Sequence, residues 1–236
     1  MYIPKFLVYL GPVISLQATI HAVLFDSTRQ QDVIAYTDIR EKLKDGDIIP
    51  NLIDDFTPSF KVEIGYPDAS VDFGNKIDPS KVQDIPDDVS LGPLGSTSPA
   101  DTTYTLVLTD PDAPSHDNPK WSQVCHWVAT NISFSSADEF HILSLHHGPR
   151  KLEKGKGLDE LVEYMAPAPP PKTGPHRYVF LLFASESGKS GSDLSKPEGR
   201  KRWGTGEKGY GVREWAKENN LAPVGGNYFK VENSKQ

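Results

Sequence analysis

A mostly β fold in a single domain is what this chain predicts, and three observations lead there. Four stretches alternate or run apolar over strand-like lengths: FKVEIGY (Phe60 to Tyr66), YTLVLTD (Tyr104 to Asp110), VCHWV (Val124 to Val128) and HRYVFLLF (His176 to Phe183). The 20 Pro and 19 Gly among 236 residues argue against a helical bundle and for long loops. No internal repeat and no sharp break in composition divides the sequence, so residues 26–236 read as one domain behind an apolar segment, residues 1–25.

The elements follow in order. Residues Phe6 to Ala22 contain no acid, and Lys5 is the only basic residue before Arg29. A short basic start, an apolar run and small residues near Ala18 and Ala22 have the layout of a secretory signal, interrupted by Pro12. If Met1–Ala22 is such a signal the protein is secreted; if it docks on the domain the protein is cytoplasmic. The N-terminal sequence of recovered protein separates the two. The Asn131-Ile132-Ser133 sequon has meaning only in the secreted case.

From Asp32 to Lys44 the residues Val33, Ile34, Tyr36, Ile39 and Leu43 fall near helical spacing, and Asp45-Gly46-Asp47 and Pro50 end the pattern. Phe60 to Tyr66 alternates as a strand. Pro67 to Ala100 reads as loop, with short strands expected around Val71–Phe73 and Lys81–Ile85. Tyr104, Leu106, Leu108 and Asp110 share one face of the next strand, because side chains alternate with a period of two. Asp112 and Pro114 follow in a turn. Val124, His126 and Val128 share a face of the strand after it. Leu158 to Met165 is a further short element. His176, Tyr178, Phe180 and Leu182 face one way and Arg177, Val179, Leu181 and Phe183 the other, which suits a central strand covered on both sides. Val212, Trp215, Ala216 and Asn219 mark a helix within Gly209 to Leu221, and APVGGNYFKVE closes the chain as a turn and a short strand.

Several function classes drop out. A net charge of −7 without a dominating basic face excludes nucleic acid as the main partner. The single cysteine, Cys125, rules out an intrachain disulfide. His141, His146 and His147 lack metal-ligand spacing and read as surface or edge histidines, so no metal or other cofactor is expected. Gly188-Lys189-Ser190 has Phe183 where a phosphate-binding loop needs glycine. Gly204-Thr205-Gly206-Glu207-Lys208-Gly209 matches G-x-G-x-x-G but follows Arg200-Lys201-Arg202-Trp203 rather than a strand, and reads as a glycine-rich loop before a helix. There is no G-x-S-x-G and no H-E-x-x-H.

What remains is a convergence of polar groups. Asp110 ends an apolar strand face, His126 lies within the next strand, and His176 and Tyr178 sit two apart on a third. The run Ala166 to Pro175, APAPPPKTGP, is stiff and extended and leads straight into that third strand, as a pocket rim or as a plain linker. Singly, an Asp before Pro is a turn former and a strand His a satisfied core residue. Together they favour a site whose N–H and O–H donors suit a phosphate or carboxylate. An Asp/His hydrolase is the alternative from another class.

At these residues the sequence resembles the phosphatidylethanolamine-binding protein family. TLVLTDPDAPS (Thr105 to Ser115), Trp121, Cys125-His126 and GPHRYVFLLF (Gly174 to Phe183) look like its two signature regions, within a resemblance covering roughly residues 32–232. The WS-x-x-CH form, Tyr164 to Pro170 and Trp215 to Leu221 look most like its fungal branch of serine carboxypeptidase inhibitors. The resemblance implies two antiparallel β-sheets with a few peripheral helices, one near the C-terminus. It implies a small anion pocket using Asp110, Asp112, Pro114, Trp121, His126, His176 and Tyr178, with Pro169 and Pro170 on the rim. It also implies a non-enzymatic binding or regulatory role, with a phosphate-bearing ligand or phospholipid head group, a serine carboxypeptidase or kinase as partner, and peripheral membrane contact. Three positions depart from the family pattern: Ala166 where relatives often have Gly, Pro171-Lys172 in place of Lys-Gly, and Cys125 where animal members have His, which removes a polar group near the pocket. The apolar segment before Asp26 has no clear counterpart.

Overall fold

The computed structural model describes residues 34–94, 102–132, 141–144, 159–185 and 191–235. The apolar segment Met1–Ala22, Val33, the Gly188-Lys189-Ser190 run, His146 and His147 lie outside the described residues. Helix α1 covers residues 34–45. The strands are β1 (Phe60–Tyr66), β2 (Ala69–Ser70), β3 (Asn75–Lys76), β4 (Asp88–Pro93), β5 (Tyr104–Asp110), β6 (Val124–Ile132), β7 (His141–Ser144), β8 (Asp159–Val162), β9 (His176–Ser185) and β10 (Leu221–Val231), with helix α2 (Val212–Glu218) before β10. They form a four-stranded sheet, β2-β1-β4-β7, and a six-stranded sheet, β3-β10-β9-β5-β6-β8. Every pairing is antiparallel except the two-residue bridge of β3 to β10. The expected fold of two sheets and a helix near the C-terminus is thus observed.

Alternation explains the two cores. Tyr104, Leu106 and Leu108 of β5 and Tyr178, Phe180 and Leu182 of β9 pack with Phe60, Val62 and Ile64 of β1 between the sheets. Val107, Val179, Leu181 and Phe183 point to the other face, where Ile39 and Leu43 of α1 and Val212, Trp215 and Ala216 of α2 cover them. β9, between β10 and β5, is therefore buried on both faces, as its apolar run predicts.

Other expectations are corrected. The strands expected around Val71–Phe73 and Lys81–Ile85 are absent; the pairing segments are β2, β3 and β4, and Pro79–Lys81 is a 3₁₀ turn capped by Asp78. APVGG is not a turn. It opens β10, an 11-residue strand that pairs with β9 across an irregularity between Pro223 and Gly225. Glycine is required there, because a Cβ on Gly225 would stand 2.8 Å from the Phe60 carbonyl oxygen. Ile34, expected on the buried face of α1, is exposed. Asn131 of the sequon holds a left-handed backbone, and its side chain ties strands together: Nδ2 donates to Asp159 Oδ2 at 2.6 Å, and Oδ1 accepts the Gly191 N–H at 2.7 Å. Among the described residues no helix is long and apolar enough to cross a membrane.

Candidate functional site

β6 does not keep strict alternation. Leu108 pairs with Trp127 and Thr109 with Cys125, so His126 is the extra residue of a β-bulge. Trp127 and Ala129 therefore join the core between the sheets, while Cys125 and Val128 join the core under the helices. The expectation that Val124, His126 and Val128 share a face fails for Val128 for this reason. Cys125 lies on the face opposite Val124 and His126, as a period of two requires, and away from the cavity those two line. Its side chain is fully buried there, which pushes the thiol up to about 12 and leaves it inert.

The ends of β5, β6 and β9 converge on a cavity of about 350 Å³. Asp110, Val124, His126, His176 and Tyr178 come from the strands, and Ala113, Pro114 and Trp121 from the β5–β6 connection. Met165, Ala166, Ala168, Pro169 and Pro170 form the rim as the extended wall that the prolines predict. Asn233 anchors that wall, its Nδ2 donating to the Pro169 carbonyl at 2.9 Å. Lys172, at one of the departures from the family pattern, keeps φ at 64°, a conformation that favours glycine.

The polar groups are interlocked. His176 Nδ1 lies 2.9 Å from Asp110 Oδ2, and both residues are buried. The other Asp110 oxygen accepts the Asp112 N–H at 2.7 Å. His126 Nδ1–H donates to the Met165 carbonyl at 2.7 Å. The ring stands edge-on to Tyr178 at 5.1 Å between centroids. Burial holds His126 below its ordinary value and outweighs the Met165 bond and the nearby Asp110 charge, so the ring is neutral at pH 7. Burial also pushes the Tyr178 hydroxyl up, with the Asp110 charge acting the same way, and it stays protonated.

Because the folded state resists protonating His126, the unfolded chain binds more protons as pH falls below the ordinary value of 6.5. Stability is therefore expected to fall from pH 7 downward until the depressed value is reached. Thermal unfolding from pH 7 to 5 checks this: His126→Gln flattens the slope, and an unchanged slope would remove His126 as its source.

Sequence reasoning missed two lining residues, Arg200 and Lys201. The Cys125 N–H donates to the Arg200 carbonyl at 2.8 Å, and Lys201 bridges Val124, so this loop runs beside the end of β6. The Arg200 guanidinium donates to the carbonyls of His126 at 3.0 Å and Glu163 at 2.9 Å. Lys201 Nζ lies 3.8 Å from the centre of the Trp121 ring. The basic run Arg200-Lys201-Arg202 was the available signal, but nothing local in it shows which β-strand it accompanies.

One predicted residue stands apart. Asp112 does not line this cavity. It is buried against Arg177, which reaches it through its backbone N–H at 2.8 Å, Nε at 3.0 Å and Nη2 at 2.8 Å. His116 Nδ1 sits 2.9 Å from its other side. Burial alone would raise the Asp112 carboxyl, but the Arg177 bonds and charge and the His116 bond hold it below the usual range. Asp112 lines a neighbouring hollow instead, with Asp47, His116, Thr173 and Arg177. Asp110, Pro114, Trp121, His126, Pro169, Pro170, His176 and Tyr178 do surround one cavity. Among the described residues no group of His, Cys, Asp or Glu is arranged to hold a metal.

The cavity is mostly apolar and brings together two basic residues, two buried imidazoles and the buried Asp110 carboxylate. The family model for phosphatidylethanolamine-binding protein matches residues 68–229. The carboxypeptidase Y inhibitor of Saccharomyces cerevisiae is 44% identical over 140 residues, which span 56% of this chain and 60% of that protein's length. An uncharacterized protein of the same yeast is 34% identical over 199 residues, covering 82% of this chain and 92% of the relative. Among solved structures, carboxypeptidase Y inhibitor complexed with its cognate proteinase superposes with a TM-score of 0.73 at 34% identity, over 84% of this chain and 97% of that one. A phosphatidylethanolamine-binding protein from Plasmodium vivax has the same fold, with a TM-score of 0.65 at 22% identity over 82% of this chain and 97% of its own. The chain belongs to the phosphatidylethanolamine-binding protein family.

Proposed function

We propose that this chain is a non-enzymatic binding and regulatory protein that takes a phosphate-bearing ligand or phospholipid head group in its cavity and inhibits a serine carboxypeptidase. The observation that carries the first half is the cavity itself, where Lys201, Arg200 and the His176–Asp110 pair meet an apolar wall. The cations and the His176 ring as a donor favour an oxyanion, and the apolar lining accepts its organic part. Support for the second half is the likeness to an inhibitor solved with its proteinase, over 97% of that inhibitor chain. The pocket and the inhibitory surface need not coincide.

The absence of catalysis is supported by how the site is wired. No serine, threonine or cysteine is among the described residues lining the cavity. Each His176 nitrogen has a protein partner. His126, with Nδ1–H on a carbonyl, keeps a lone pair on Nε2, but none of those side-chain nucleophiles stands among the described lining residues for it to activate. Residual carboxypeptidase Y activity at rising concentrations of the full chain tests the inhibitory half. Saturable inhibition is expected. Undiminished peptidase activity at a molar excess of the chain would refute it, and leave the pocket to be judged by ligand binding alone.

A further inference from the structure

We propose that Thr173 is a positioning residue that competes with a ligand oxyanion for the Nε2–H of His176, so that ligand entry releases the rim turn Pro170–Thr173. This deepens the anion-pocket reading and rests on it.

Thr173 Oγ1 lies 2.7 Å from the Pro170 carbonyl oxygen. Two oxygens come that close with a hydrogen between them, and the carbonyl has none to give, so the hydroxyl donates to Pro170. Only lone pairs of Oγ1 then remain for His176 Nε2, which lies 3.1 Å away. Nε2 therefore carries the hydrogen and donates. The other ring nitrogen faces Asp110 Oδ2 at 2.9 Å. One proton is shared across that contact, and Nε2–H is a donor whichever partner holds it. His176 thus lines the cavity with a donor already engaged by Thr173, which follows the rim residue Pro170 and itself lines the adjacent hollow beside Asp112 and Arg177.

An oxyanion that binds Nε2 takes the place of the Thr173 oxygen. The turn it leaves is strained, because Lys172 inside it holds φ at 64°. Losing the Thr173 contact to His176 removes one of the bonds that keep this turn in place.

Calorimetric titration of the full chain, Thr173→Val and Thr173→Ser with phosphorylethanolamine tests this, together with ¹⁵N spectra of the His176 ring. Thr173→Val removes the competitor without changing shape and is expected to bind about 3–10-fold tighter, the worth of one ordinary hydrogen bond. Thr173→Ser restores the wild-type affinity. The ligand-free Nε2 resonance moves in Thr173→Val and not in Thr173→Ser, and the ligand shifts the Lys172 and Gly174 amides of the wild type. Wild-type binding with equal or weaker affinity in Thr173→Val overturns the competition and leaves the anion pocket standing. Absence of binding by all three proteins overturns both.

Discussion

Replacing Arg177 with alanine is expected to lower the unfolding free energy by about 3–5 kcal/mol, the usual cost of stranding a buried charge. Asp112 is almost fully buried, and three Arg177 donors hold its two oxygens. The side-chain donors are lost in the variant, while the backbone N–H and the exposed His116 stay. Arg177 Nη1 also donates to the Gly46 carbonyl at 2.8 Å, so the variant frees the loop after α1 from the sheet. Chemical denaturation at pH 7 measures the effect. Lys61→Ala serves as the control, since its pair with Glu63 is exposed on both sides and is worth about 0–1 kcal/mol. The pH dependence carries the same sign test. The Asp112 carboxyl is held below its ordinary 3.8, so its stabilisation is full above that value and is lost as pH falls through the depressed one. Arg177→Ala keeps only the part that the backbone N–H and His116 supply, so its stability is expected to depend less on pH in this range. Equal stabilities of variant and wild type across this range would show that the pair contributes nothing.

Replacing His176 with alanine is expected to weaken phosphorylethanolamine binding at least tenfold, since a charge-assisted hydrogen bond contributes about 1.5–3 kcal/mol. The substitution also leaves Asp110 buried with only the Asp112 N–H and the Tyr178 hydroxyl around it, so the melting temperature falls too. His176→Gln separates the two effects, because its amide can donate where Nε2 did. Affinity is expected to recover in part in His176→Gln, while alanine stays weak. Equal affinity in wild type and alanine would place any binding away from the β9 end of the cavity.

The legible part of this fold is the part set by short-range alternation. β1, β5 and β9 have the periodicity and the flanking breakers that end them, and their faces divide between two cores as a period of two requires. His176 and Tyr178 were readable for the same reason. β10 was not, because Pro223, Gly225 and Gly226 look like a turn until β9 pairs with them. β2 and β3 are two residues each and exist only through their partners. The bulge at His126 is invisible in VCHWV, since only the register against β5 shows that one residue is extra. That slip sent Val128 to the helix-covered core and Trp127 to the core between the sheets.

The site divides in the same way. Asp110 and the two histidines lie on strands, and their convergence follows from sheet pairing plus the resemblance. Asp112 shares a D-P-D motif with Asp110, yet one residue of the turn sends it outward to Arg177. Arg200 and Lys201 reach the cavity from a loop about 75 residues along the chain from His126, and only the folded backbone reveals that approach.

Calorimetric titration of the full chain with phosphorylethanolamine at neutral pH tests the central claim most directly. Saturable one-to-one binding, weakened by His176→Ala, is the predicted result. No heat of binding at millimolar ligand, with the protein folded by circular dichroism, would contradict the anion pocket and leave inhibition of a carboxypeptidase to an outer surface.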